Sequence, residues 1–151
     1  MTLADRILSF QKNLKLDIKL PKGVQAMNPY QDKIAFSICE KFYKKFYISA
    51  VSPLGFVKEE KNLNYYNVKG LPETLEPFIV NCLKEQLSWG VDKRVCYSLG
   101  EGENFKYINK LNAKFQFFSE MVALPHPRFI MQYRRKRIDE FVLMYKEKFM
   151  I

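Results

Sequence analysis

Apolar residues recur along this chain at two spacings, and each spacing predicts an element. At the amino-terminal end Leu3, Ile7, Leu8 and Leu14 fall at helical spacing, with Thr2 placed to cap and Asp5 three positions on, so a helix is expected over 2–14. The pattern dissolves over 15–32 around Pro21, Gly23 and the Asn28-Pro29 pair, as in a connecting loop with one short extended piece. Ile34, Ile38, Phe42 and Phe46 then make one stripe, predicting a second helix over 33–46 that runs into Tyr47-Ile48-Ser49-Ala50-Val51. This last segment reads as a buried strand, closed by Ser52-Pro53-Leu54-Gly55, where proline and glycine break a ladder.

Beyond a polar stretch around Lys58 to Asn62, Pro72 suits the first turn of a long helix. Leu75, Phe78, Ile79, Cys82, Leu83 and Leu87 lie on its apolar face, and Gly90 stops it. A strand is expected over 94–99, a helix over 104–113 and a strand over 120–124. A final helix from about 137 to 149 should turn Ile138, Phe141, Val142 and Tyr145 inward. The order β-α-β-α-β predicts an α/β chain, with a short parallel sheet, right-handed crossovers and helices on its faces.

Composition narrows the setting. The 151 residues suit one domain, and 48% hydrophobic with 27% charged residues suits a packed core. No run reaches the length a membrane span needs, and the helical, charged start does not read as a signal peptide. Cys39, Cys82 and Cys96 are far apart, odd in number and set in apolar segments, which fits reduced core thiols in a cytoplasmic protein. A net charge of +9 favours a polyanionic partner, nucleic acid first and an anionic membrane surface second.

Three constellations could carry chemistry. Gly100-Glu101-Gly102-Glu103-Asn104-Phe105 follows a strand and opens a helix, like a phosphate-binding turn. It lacks a third glycine, and its two glutamates would repel a pyrophosphate, so it reads as a tight structural turn. One histidine and scattered cysteines do not make a metal site, and no cofactor is expected. The single histidine lies in Pro125-His126-Pro127-Arg128, just past the last predicted strand, where two prolines stiffen the loop and can hold an imidazole in a fixed orientation. Arg128, Arg134, Arg135, Lys136 and Arg137 follow without an acid among them and with Phe129 and Tyr133 interleaved. Guanidinium groups bind phosphates, and aromatic faces stack on exposed bases. The plainer alternative is a solvated charge run before the last helix, where cations oppose the helix dipole unless a phosphate offsets them.

In order and spacing, four segments resemble the single-strand-selective monofunctional uracil-DNA glycosylases, especially a bacterial second branch. They are Tyr47 to Phe56, Lys61-Asn62-Leu63-Asn64-Tyr65-Tyr66, Leu99-Gly100-Glu101-Gly102, and His126 to Lys136. The resemblance covers about two thirds of the chain, and Met1 to Asp32 looks like that branch's lead-in. It implies a three-layer α-β-α fold and hydrolysis of the N-glycosidic bond of a uracil flipped out of DNA. His126 would stabilise negative charge on the departing base. Ser49, Ala50, Ser52, Pro53 and Asn62 would form the base pocket, while Pro127, Arg128, Tyr133, Arg134, Arg135, Lys136 and Arg137 would hold DNA.

The sequence departs from the family twice. The Gly-Asn-Pro-Gly-type loop that positions the attacking water has no counterpart: Tyr30 follows Asn28-Pro29 where a glycine is required. The chain passes from the lead-in to Tyr47 as a single domain, 1–151, shortened by an internal deletion near 33–46 that would also remove a central strand. In addition, Ala50 stands where better-known members carry a base-reading asparagine. The expectation is a DNA-binding relative with weak or lost excision, on single-stranded DNA or a flipped base. Two alternatives stay open: an active glycosylase in which Ser52, Asn62 or Asn64 positions water, and a non-enzymatic interaction module or decayed product. The shortened sheet would also expose an edge through which two copies could pair.

Overall fold

A computed structural model describes residues 9, 10, 13, 15–17, 19–27 and 45–149. The chain divides into two compact units, Met1–Asp92 and Lys93–Ile151.

In the first unit Ser9, Phe10 and Asn13 are helical, in keeping with the amino-terminal helix, whose other residues lie outside the described ones. So does the predicted second helix, apart from Lys45 and Phe46 at its end. Strands β1 (Val24–Met27), β2 (Gly55–Lys58) and β3 (Lys61–Leu63) form an antiparallel sheet in that order. The β2–β3 connection is a two-residue loop in which Glu59 and Glu60 have φ of 51° and 61°. Positive φ at both central positions is the backbone of a type I′ hairpin, which asparagine and glycine favour and glutamate does not. Replacing Glu59-Glu60 by Asn-Gly is therefore expected to raise unfolding stability by about 1 kcal/mol, read from urea midpoints at unchanged slope.

The predicted strand over 47–51 does not form. Those residues have no strand partner among the described ones, and Ile48 is 49% exposed. Tyr47 is tied to a helix instead. Its hydroxyl donates to Gln86 Oε1 at 2.9 Å, and its ring stands edge-on to Trp89 at 6.2 Å. That helix, α1 (Leu71–Ser88), is the long one expected; Leu71, Leu75 and Ile79 on it are fully buried. Buried Gln86 costs little because its Nε2 also donates to the Cys82 carbonyl at 3.0 Å.

In the second unit β4 (Val95–Leu99) and β5 (Glu120–Leu124) pair in parallel, joined through α2 (Glu103–Phe115). This is the β-α-β crossover read from the sequence, and the α/β class holds, with a parallel sheet of two strands. Asn112 stitches the return to β5 by donating to the Phe118 carbonyl at 2.9 Å and accepting its N–H at 2.8 Å. After β5 come α3 (Pro127–Tyr133), a 3-10 turn (Arg135–Arg137) and α4 (Ile138–Phe149). The inward face expected of α4 is not buried. Ile138 is 37% and Val142 46% exposed, and with Phe141 and Tyr145 they line a shallow apolar groove against Ile130 and Met131 of α3. Helical spacing identifies an apolar face, but what covers that face is set by tertiary packing.

Candidate functional site

The parallel register aligns Leu99 with Leu124, so both strands end at one level and Gly100 emerges beside Pro125-His126. Ends of this kind form the crevice in which open α/β sheets place their sites. The Gly100 N–H donates to the Leu124 carbonyl at 2.7 Å, and the Ser98 hydroxyl donates to the Gly100 carbonyl at 3.0 Å. Gly100 has φ +130°, a conformation that L side chains rarely adopt. A methyl group built there would touch His126 Cδ2 at 3.7 Å and Cβ at 3.8 Å, so the imidazole lies over the glycine turn.

His126 is exposed and is the N-cap of α3, with Pro127 in the first turn. Its Nδ1 accepts the Arg128 N–H at 3.0 Å. A ring nitrogen that accepts a hydrogen bond carries no proton, so in the neutral imidazole the proton sits on Nε2, which makes that nitrogen the donor of this exposed ring. A donor of this kind can meet negative charge that develops on a bound group. The Pro125 carbonyl before it accepts the Tyr145 hydroxyl, and the His126 carbonyl accepts the Ile130 N–H at 3.2 Å.

The basic run is not uniform. Arg137 is held by Glu140 through three contacts of 2.7–3.1 Å, and this hydrogen bonding draws the Glu140 carboxyl below its usual range. Arg134 lies over the Phe129 ring at 5.4 Å and donates to the Tyr133 carbonyl. Phe129 and Tyr133 pack at 5.6 Å and both remain exposed, Tyr133 at 66%. Arg128, Arg135 and Lys136 are exposed and make no side-chain hydrogen bond or ion pair among the described residues. The cations expected to act together thus divide into one neutralised, one stacked on an aromatic and three available.

The residues expected to form the base pocket belong to the first unit. Ser49 and Ala50 are exposed, and the Ser49 hydroxyl only approaches the Ala50 carbonyl, at 3.4 Å. Ser52 donates to the Leu54 carbonyl at 2.9 Å, and Pro53 is buried. Asn62 is exposed on β3 opposite Val57, and Asn64 precedes a 3-10 turn (Tyr65–Asn67) that buries Tyr65. Four of the five thus share one irregular segment, with Asn62 on the neighbouring hairpin. The Tyr145 hydroxyl was not foreseen as part of the His126 loop, because helical spacing marked Tyr145 only as an apolar-face residue.

Among the described residues no group of three or more His, Cys, Asp or Glu side chains could hold a metal, and no helix is long and apolar enough to cross a membrane. Cys82 and Cys96 are free thiols, both pushed up to about 11, mainly by burial. The rise favours the neutral thiol in the folded state. Its contribution to stability is present below pH 9 and is lost as the pH climbs through about 11. Alkylation of these two thiols at mildly alkaline pH should be at least ~100-fold slower in the native protein than in urea, followed by mass spectrometry.

No protein-family model and no curated protein matches the chain. Its architecture is nonetheless that of the uracil-DNA glycosylase superfamily, as the four sequence segments implied. The crystal structure of wild-type Pedobacter heparinus SMUG2 aligns with 99% of this chain and 97% of that one, at a TM-score of 0.88 and 28% identity.

Proposed function

We propose that the chain is a cytoplasmic DNA-binding protein of the uracil-DNA glycosylase type whose excision activity is weak or absent. The observation that carries this reading is His126: it sits at the carboxyl end of the parallel pair, with Nδ1 engaged and Nε2 left to donate, and a short helix bearing Arg128, Phe129 and Tyr133 begins at the next residue, with Arg134, Arg135, Lys136 and Arg137 directly after it. In this reading Arg128, Arg135 and Lys136 hold backbone phosphates, and Tyr133 stacks on a base of single-stranded DNA or beside a flipped nucleotide. Ser49, Ala50, Ser52, Pro53 and Asn62 stand for the base pocket of a single domain, 1–151, shortened near 33–46.

Weak or absent excision follows from the missing Gly-Asn-Pro-Gly-type loop. Loss of a water-positioning group costs about a hundred- to ten-thousand-fold in rate even where charge stabilisation survives. Pairing of two copies along a sheet edge belongs to the same reading and would appear as a dimer in sedimentation.

The deciding experiment incubates purified protein with a labelled single-stranded oligonucleotide containing uracil. Alkali-labile sites report excision, and a shift assay on the same sample reports binding. Binding with little or no excision is expected. Absence of binding by folded protein would overturn the proposal, and efficient excision that vanishes in His126→Ala would replace it with an active glycosylase.

A further inference from the structure

The carboxyl half of α4 is fastened to β4. The Tyr97 hydroxyl donates to the Lys148 carbonyl at 2.7 Å, and the Tyr97 ring meets Phe149 edge-on at 4.8 Å. Phe149 in turn meets Tyr145 edge-on at 5.6 Å, and the Tyr145 hydroxyl donates to the Pro125 carbonyl, twenty residues back in the chain. The ladder between β4 and β5 has ended by then, its last carbonyl, that of Leu124, being taken by Gly100. Tyr145 supplies the donor that the next carbonyl lacks. Burial raises the Tyr145 pKa, which keeps the hydroxyl protonated and able to donate.

His126 is thereby restrained on four sides. Tyr145 holds the carbonyl before it, Ile130 bonds its own carbonyl, Arg128 bonds Nδ1, and Gly100 supports the ring. Of these, only the Tyr145 contact comes from outside the loop, its helix and the strand ends. We infer that Tyr145 is a positioning residue that fixes the orientation and tautomer of the His126 imidazole, an inference that rests on the glycosylase-type reading of that histidine. Turning an imidazole away from its productive direction is costly, because a charge-stabilising donor works only where the charge develops. An aromatic residue that merely packed would do the same work as phenylalanine, so the hydroxyl separates the two roles.

The test uses the full chain with Tyr145→Phe, which removes the hydroxyl and keeps the ring. His126 is the chain's single histidine, so its ring nitrogens give one unambiguous set of NMR signals. In alkaline buffer the wild type should show a protonated Nε2 and an accepting Nδ1. In Tyr145→Phe both nitrogens should move toward the averaged values of a free imidazole, and the Arg128 amide should exchange roughly fivefold faster as the cap loosens. Any uracil excision should fall roughly tenfold in kcat at unchanged KM. Phe149→Leu, which loosens the ring behind Tyr145, should move the same signals less far and gives a second route should Tyr145→Phe fail to fold. Leu143→Gln, on the exposed face of the same helix, should leave them alone. Ring nitrogens and an Arg128 amide identical to wild type in the folded variants overturn the positioning role, whether or not the protein excises uracil. Absence of excision by the wild type counts against an active glycosylase and leaves the NMR signals to decide on Tyr145.

Discussion

Replacing His126 by alanine is expected to lower residual uracil excision by about a hundred- to a thousandfold, the usual cost of deleting one charge-stabilising donor. The same change should reduce stability by about 1 kcal/mol, since it removes the N-cap of Pro127–Tyr133. These losses have different origins, and His126→Asn separates them. Asparagine is a strong N-cap, so it should restore the thermal midpoint, yet its shorter amide cannot place a donor where Nε2 points. Excision in His126→Asn should stay as low as in the alanine variant while binding to a uracil-containing oligonucleotide stays within about twofold of wild type, because cations downstream dominate affinity. Excision rates of His126→Ala and His126→Asn equal to wild type would remove the imidazole from the chemistry.

The parts of this structure legible in the sequence are those in which one local signal dominates. Leu71–Ser88 announces itself by proline at the start, five turns of apolar spacing and glycine beyond the end, and it forms as read despite Pro77 within it. Val95–Leu99 and Glu120–Leu124 separated by a helical stretch gave a parallel pair, because a crossover through a helix permits little else. The hairpin at Glu59-Glu60 was hidden because its residues are poor formers of the turn they adopt, so the register is set by strand pairing and not by the turn. Tyr47 to Val51 shows the converse. Five residues of strand-like composition remain irregular when a hydrogen bond to Gln86 and a ring contact with Trp89 claim the first of them. At the site, the sequence marked His126 and its stiff loop, but not that Nδ1 would be consumed by a cap. That bond depends on α3 starting at Pro127, and a helix of only seven residues carries almost no periodic signal. Likewise nothing in a run of five cations distinguishes Arg137, which a glutamate three positions later neutralises, from Arg135, which has no such partner.

That distinction leads to the second large effect. Simultaneous replacement of Arg128, Arg135 and Lys136 by alanine is expected to weaken binding to a single-stranded oligonucleotide roughly a hundredfold at ~0.1 M salt. Each phosphate contact on a single strand contributes about 0.7 to the slope of log affinity against log salt. Three lost contacts should therefore flatten the slope by about 2, and lines converging near ~1 M stand about two decades apart one decade of salt below. Arg137→Ala should change the slope by less than ~0.3, because its guanidinium already spends its donors on Glu140, 2.7 Å away at the shortest contact. Arg134→Ala should fall between, since stacking on Phe129 leaves its charge exposed but fixes its direction. Glu140→Gln supplies the opposite sign. Freed from its carboxylate, Arg137 should become a further phosphate ligand and steepen the slope by about 0.7. A triple variant with the wild-type slope would take the whole run out of the binding face. Equal losses from Arg137→Ala and Arg135→Ala would mean that the Arg137–Glu140 pair opens when DNA arrives, so that charge count and not pairing sets the affinity.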